Sequence, residues 1–417
     1  MSSDEWQKVR LGDVIEFNPN EKLKKGELAK KIGMDKLHPL QRYIRGFEIT
    51  KYTSGTKFRN GDTLLARITP CLENGKTAQV TVLEKDEVGF GSTEFIVLRE
   101  KKEYTVNDFI YYLAISPNLR DIAIKSMTGT SGRQRAQVDL IKNTPMKFPP
   151  KRIQKKVAYI LSTIDEKIEL NNRINQNLEA MAQAIFKHWF VDFEFPNEEG
   201  RSYKSSGGEM VESELGLVPK GWSIKSLDKV ADYINGLAMK KYRPREDEKS
   251  IPVLKIKELK QGFIDSESDI CSSNIDSQYR INNGDVIFSW SGSLVVDIWC
   301  GGICGLNQHL FKVRSTNYDK WFYFYWTKHH LNKFIGIAKD KATTMGHIKR
   351  KDLKDSLVTI PNLAIYKLAN SIFSQLLNKQ IKLREESRML IEIRDILLPK
   401  LMSGEIRVPM EVAEQKN

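Results

Sequence analysis

The chain of 417 residues carries one run of landmarks twice. Trp6, in EWQKVRLGDVIEFNPN, recurs as Trp222, in GWSIKSLDKVADYING, 216 positions later. Asn60-Gly61-Asp62, ahead of TLLARI, recurs as Asn283-Gly284-Asp285, ahead of VIFSW. Gly91, opening GSTEFIVLR, recurs as Gly305, opening GLNQHLFKVR, and Ile168-Glu169-Leu170 recurs as Ile381-Lys382-Leu383. Four landmarks in one order at nearly constant offset make the chain two copies of one unit. Any fold proposed for it must be one that is built twice, which also suits a length too great for a single core.

Each copy has the same plan. Its first part holds short β-branched and aromatic runs broken by Asn-Gly-Asp and Gly-Ser turn signals, which predicts short strands with a few helices. A proline boundary follows, FPPKR at 148–152 and TIPN at 359–362. Then comes a long segment with helical periodicity and few glycines or prolines.

The first long segment places Val157, Leu161, Ile164, Ile168, Asn171, Asn175, Leu178, Ala182, Ile185 and Trp189 at alternating steps of four and three. That is the seam of a coiled coil. The second repeats the spacing less purely, with Ala369, Phe373, Leu376, Gln380, Leu383, Ser387, Leu390, Arg394, Leu397 and Leu401. Polar residues near the middle of both seams suit a device that fixes register. A seam of this length spans roughly 50 Å, more than a domain of about 150 residues covers, so each helix is expected to partner the other. Between the copies, NEEGRSYKSSGGEMVESELG (197–216) reads as an exposed connector.

The expected fold class is therefore α+β, with two similar domains of small mixed sheets and helices separated by two long helices pairing as an antiparallel coiled coil. The boundaries expected are 1–152, 153–195 for the first long helix, 196–221 for the connector, 222–362, 363–405 for the second long helix, and 406–417 for a tail.

The net charge of +13 and sequence pI near 9.3 favour a polyanionic partner, nucleic acid ahead of an anionic membrane. No apolar run is long enough to span a membrane and MSSDEWQKVR lacks a signal-peptide core, so a cytoplasmic location is expected. Four scattered cysteines, Cys71, Cys271, Cys300 and Cys304, suit a reduced compartment. Cys300 and Cys304 with nearby His309 lack a fourth ligand, and buried free thiols are the expectation there rather than a metal site.

Basic residues gather at matching places just before each long helix, in 120–156 and 338–354. A solvated face is the usual meaning of such runs, and their twofold recurrence argues for a binding role. TGTSGRQRAQ (128–137) offers backbone N–H groups at Gly129 and Gly132, the hydroxyls of Thr130 and Ser131, and Arg133, Gln134 and Arg135. Such a loop suits holding a phosphate while one long side chain reaches a base edge. In the second copy ATTMGHIKRK (342–351) offers Thr344, His347, Lys349, Arg350 and Lys351. Further candidates for DNA contact are Arg67 and Lys76 in ARITPCLENGK, Ser291 and Ser293 in SWSGS, and the basic cluster Lys240, Lys241 and Arg243.

No constellation for chemistry is present. LENGKT resembles the end of a phosphate-binding loop, but Pro70 stands where the pattern needs glycine. No amino-methyltransferase motif and no glycine-rich cofactor loop occur, and Asp165-Glu166-Lys167 reads as helix surface charge.

These residues together carry a resemblance. FPPKRIQKKVAYILSTIDEKIELNNRINQNLEAM (148–181), FVDFEFPNEEGRSYKSSGGEMVESELGLVPKGW (190–222) and LLPKLMSGEIRV (397–408) resemble the specificity subunits of type I restriction–modification systems. The resemblance implies that each copy holds a target-recognition domain followed by a spacer helix, and that each domain reads one half of a bipartite, asymmetric DNA sequence. It implies as partners double-stranded DNA, two modification subunits and two restriction subunits. S-adenosylmethionine, ATP and magnesium are then expected on those partners, with no cofactor on this chain. The recognition loops of the two copies share little sequence, as TPCLENGK against SGSLVVDI illustrates, which implies unlike half-sites. The alternative is a stand-alone DNA-binding regulator with two different reading heads; an enzyme acting alone on DNA is a third, remoter reading.

Overall fold

The computed structural model describes residues 6–340 and 346–408. The chain divides into two compact units, residues up to Glu169 together with those from Met389, and Leu170–Arg388. The division passes through both long helices, so each unit contains a stretch of each.

Besides a two-stranded pairing of Gln7–Arg10 with Pro145–Phe148, the first unit has two four-stranded sheets, built from β1 (Ile15–Phe17), β2 (Leu28–Ile32), β3 (Glu48–Lys51), β4 (Lys57–Phe58), β5 (Thr63–Ala66), β6 (Thr77–Gln79), β7 (Gly89–Gly91) and β8 (Phe95–Glu100). One sheet has the order β1-β8-β5-β6 and the other β3-β2-β7-β4. In the second sheet β2 and β7 run parallel, with Lys31 opposite Phe90 and Ile32 opposite Gly91. The second unit has β9 (Asp232–Asn235), β10 (Ser250–Leu254), β11 (Ile270–Ser272), β12 (Arg280–Ile281), β13 (Val286–Ser289), β14 (Val295–Ile298), β15 (Cys304–Leu306) and β16 (Leu310–Arg314). Its orders are β9-β16-β13-β14 and β11-β10-β15-β12, with β10 and β15 parallel. Strand for strand the two topologies are the same. The repeat of the sequence is a repeat of the fold.

The shared Asn-Gly-Asp turns show why the landmarks recur. Gly61 and Gly284 have φ of +90° and +85°, a region that side chains disfavour. The following aspartate closes each turn: the Arg59 N–H donates to Asp62 Oδ2 (2.7 Å) and the Asn282 N–H to Asp285 Oδ2 (2.8 Å). Each turn delivers the chain into a fully buried central strand, β5 or β13.

An aromatic helix in each unit joins the sheets to the long helices. In the first unit it is α1 (Asn107–Ile115), whose residues from Phe109 to Ile115 are all buried. The long helices are α2 (Lys151–Phe186) and α4 (Leu363–Ser403); α3 (Lys320–His329) is the aromatic helix of the second unit. Val157 and Leu161 of α2 share a core with Tyr111 and Tyr112 of α1 and with Leu398 and Leu401 of α4. In the second unit Phe186 and Phe373 share a core with Trp321, Tyr325 and Trp326, and Trp321 stacks on Phe373 at 4.7 Å.

α2 and α4 pair antiparallel. The buried positions of α2 include Val157, Leu161, Asp165, Asn171, Ala182 and Phe186, while Ile164, Ile168, Asn175, Leu178 and Ile185 are half-buried. On α4, Ala369, Phe373, Gln380, Leu383, Ser387, Arg394 and Leu401 are buried, and Leu376, Leu390 and Leu397 are half-buried.

One sequence expectation is corrected. Asp165 is not surface charge: it and Arg394 are each 4% exposed and form an ion pair at 2.9 Å. Tyr112 donates to the other Asp165 oxygen (2.7 Å), and Arg394 also donates to the Leu40 carbonyl (3.0 Å) and to Asp395 (2.9 Å). Burial, then the Asp165 charge, push the Tyr112 phenol well above its ordinary value, so it stays a donor. In the second unit Asn171 donates to Glu386 (3.0 Å), and Lys328 of α3 pairs with Glu179 (2.5 Å). Position 165 falls one residue after Ile164, where the three-four count placed the seam, and a helix stripe is wider than its two ideal positions.

Candidate nucleic-acid interface

Where β5 ends, the chain meets the basic loop ahead of α2. Arg67 N–H donates to the Glu94 carbonyl (3.0 Å), and its own carbonyl accepts from Ala136 N–H (2.8 Å). Thr69 N–H donates to the Gln134 carbonyl (3.0 Å), and Ile68 and Arg135 form an antiparallel bridge. Thr128 and Arg135 exchange both backbone hydrogen bonds, closing a hairpin whose tip is exposed from Thr128 to Arg133. Gly129 and Gly132 give the tip its turns, with φ of +127° and +76°. Thr130, Ser131 and Arg133 therefore stand outermost, and Arg67, Gln134 and Arg135 lie together at the hairpin base.

The Arg135 guanidinium is held by Glu94. Nε and Nη2 donate to its carboxylate at 3.0 and 2.7 Å, and the side chain remains 43% exposed. Lys76 is placed otherwise: its ammonium donates to the Met34 carbonyl (3.0 Å).

The second unit builds the same frame. Trp290 N–H donates to the His309 carbonyl (3.3 Å), Ile348 N–H to the Trp290 carbonyl (3.0 Å) and Gly292 N–H to the Gly346 carbonyl (2.8 Å). Ser291 and His347 form the bridge that Ile68 and Arg135 form in the first unit. Backbone position by backbone position, Arg67, Glu94 and Arg135 correspond to Trp290, His309 and His347. The frame is constant and the side chains on it differ.

The second unit presents rings. Trp290 donates to Asn235 (2.9 Å) and stacks on Phe311 at 5.7 Å, and His309 Nδ1 is 2.9 Å from Ser291 Oγ. Ser291 is 3% exposed, and the other ring nitrogen of His309 faces the Gln308 amide at 3.3 Å, which suits a structural hydroxyl and not a nucleophile. Ser293 offers its carbonyl to Ser289 (2.9 Å). Arg350 lies over the Phe311 ring and donates to the Tyr233 carbonyl (3.1 Å), and Lys349, Arg350 and Lys351 are all exposed. Thr344 lies outside the described residues.

A cleft of about 1000 Å³ adjoins His309 and is lined by Lys240, Arg243, Lys255, Lys257 and Gln308 among others. Lys255 and Lys257 are paired with Asp269 and Asp265. Lys240 and Arg243 are exposed and form no ion pair among the described residues; Lys241 is exposed on the same short turn. The cleft thus has a net positive wall beside the ring cluster, a surface suited to a phosphate backbone with base edges next to it.

Glu94, Trp290 and Asn235 were not singled out by the sequence, and His309 was considered only beside Cys300 and Cys304. Glu94 stands three residues after Gly91 in GSTEF and His309 four after Gly305 in GLNQHL, so aligning the glycines leads to this stretch but is one residue out, and only the backbone bonds to Arg67 and Trp290 match the two. Cys71, Cys271, Cys300 and Cys304 are free thiols; burial pushes the Cys300 and Cys304 thiols up to about 11 and about 12. Among the described residues no group of His, Cys, Asp or Glu is arranged to hold a metal, and no helix is long and apolar enough to cross a membrane.

The family model described as type I restriction modification DNA specificity domain matches residues 3–180 and again 219–392. The chain belongs to the type I restriction–modification specificity subunits. This specificity subunit is 29% identical over 321 residues to that of the type I restriction enzyme MjaIX of Methanocaldococcus jannaschii, covering 74% of this chain and 71% of that protein. It is 24% identical to the HindI specificity subunit of Haemophilus influenzae over 377 residues, 76% of this chain and 81% of that one. The crystal structure of the S subunit from M. genitalium shares the fold, with a TM-score of 0.54 at 14% identity over 95% of this chain and 96% of that one. The specificity subunit is a DNA target-recognition component of a type I complex and not itself catalytic.

Proposed function

We propose that each unit's frame reads one half of a bipartite, asymmetric DNA target, and that the length of the paired helices sets the unread gap. The observation that carries this reading is one backbone frame dressed with Arg67, Glu94 and Arg135 in one copy and Trp290, His309 and His347 in the other. A constant frame meets the duplex in one way; unlike side chains select unlike bases. The division proposed for the chain is recognition domains 1–152 and 222–362, spacer helices 153–195 and 363–405, connector 196–221 and tail 406–417. The chain works in the cytoplasm with two modification and two restriction subunits. S-adenosylmethionine, ATP and magnesium belong to those partners.

The test is the methylation motif of the assembled enzyme. Two short specified blocks, different from one another, are expected, separated by unspecified base pairs and fitting within about 15 bp, since helices of roughly 50 Å match that length. A single continuous motif, or a palindrome, overturns the reading.

A further inference from the structure

We propose that Arg135, buttressed by Glu94, is the residue with which the first unit reads a guanine, and that the matching place in the second unit reads its base pair without an arginine. The inference rests on the DNA-reading function above and assigns one of its letters.

Three observations carry it. First, Glu94 occupies one face of the guanidinium, the face formed by Nε and Nη2, at 3.0 and 2.7 Å. Among the described residues the end formed by Nη1 and Nη2 meets, besides Glu94 on Nη2, only the Arg133 carbonyl at 3.4 Å from Nη1. That end is the fork that pairs with O6 and N7 of guanine in the major groove. A guanidinium already held in position loses less rotamer freedom on binding than a free one.

Second, the neighbouring carboxylate separates reading from phosphate contact. A phosphate approaching Arg135 also approaches Glu94 and is repelled by it, whereas a base edge is neutral. Arg133, exposed at the hairpin tip and without an ion-pair partner among the described residues, has no such handicap and suits a phosphate. Third, the tip of the hairpin that ends at Arg135 carries exposed glycines at Gly129 and Gly132. The duplex backbone can come close there without meeting large side chains.

In the second unit His347 stands in the place of Arg135 and His309 in that of Glu94. The bidentate arginine fork is absent from that frame position. The bland alternative is that Arg135–Glu94 is an ordinary surface ion pair, which contributes little and reads nothing.

The experiment uses the full chain assembled with its modification subunits, with the methylation motif read from a randomised plasmid library. Arg135→Ala is expected to relax one G·C pair in one half-site, lowering discrimination there by about 10- to 100-fold, and to leave the other half-site unchanged. Arg135→Lys does not restore the preference, because an ammonium is a point donor. Glu94→Gln weakens preference at the same pair while tightening binding to random DNA. Arg133→Ala lowers methylation at all sites and leaves the motif intact. An unchanged motif in both Arg135→Ala and Glu94→Gln, relaxation at an A·T pair, or relaxation produced by Arg133→Ala instead overturns the inference. If Arg135→Ala does not assemble, Glu94→Gln decides the matter at the same base pair. A wild-type motif that is not bipartite defeats the proposed function itself; a bipartite one that ignores these variants defeats this assignment alone.

Discussion

Arg394 shows how much a single side chain carries. Asp165 holds its guanidinium in a site where each partner is 4% exposed, and Tyr112, Leu40 and Asp395 satisfy the remaining groups. Burial lowers the affinity of Arg394 for its proton, but the Asp165 and Asp395 charges outweigh it and hold the cation in place. Arg394→Met leaves Asp165 buried without its counter-charge and is expected to cost about 3–5 kcal/mol. Asp165→Leu combined with Arg394→Met is expected to recover most of that loss, since an apolar pair has no desolvation penalty. Urea denaturation of the single and double variants checks both. His330 of the second unit gives a pH signature. Burial, then the His329 charge, pull its pKa down to about 4 from 6.5, against a hydrogen bond to the Leu357 carbonyl (3.0 Å). The folded form therefore resists protonation that the unfolded chain accepts. Stability is full above pH 6.5, falls as pH drops from 6.5 towards 4, and is flat below that for this group. The loss is expected to be about 3 kcal/mol, and His330→Gln is expected to remove it from the pH dependence of the melting curve.

At the scale of elements, polar contacts fix the register of the helix pair. As α2 runs forward from Asp165 through Asn171 to Glu179, its partners run back from Arg394 through Glu386 to Gln380. A slip by one residue would strip each of these buried groups of its partner, which is how polar positions in a seam specify alignment. Matched deletion of Lys167–Arg173 and Glu386–Glu392 removes facing segments and keeps the outer contacts. It shortens each helix by roughly 10 Å, equivalent to about 3 bp of duplex. The expected result is a methylation motif whose gap is about 3 bp shorter, or no methylation, with both half-sites unchanged. Altered half-sites would show that the helices do not set the gap.

For the whole molecule, the charge of +13 makes association with DNA a salt-dependent process. The exposed, unpaired Lys240 and Arg243 of the second unit's cleft are the natural phosphate contacts beside its ring cluster. Removing both by alanine substitution is expected to weaken binding to target and random DNA alike. The slope of log affinity against log salt should fall by about 0.9 per cation lost. A changed target sequence instead of a uniform loss would make them base readers.

The repeat, the Asn-Gly-Asp turns and the spacing of apolar residues in the two long helices were all legible in the sequence, because each depends on neighbours within a few positions along the chain. Glycine at positive φ and steps of three and four are local physics, and they announce themselves wherever they occur. The burial of Asp165 was not legible, because its meaning depends on Arg394, which lies 229 positions away. Nor was the restraint of Arg135 by Glu94, 41 positions apart, or the replacement of that pair by Trp290, His309 and His347 on the same backbone. A charge in a sequence looks the same whether solvent or a counter-ion surrounds it. Only the folded chain decides which, since desolvation and pairing are properties of what the tertiary structure brings within a few ångströms.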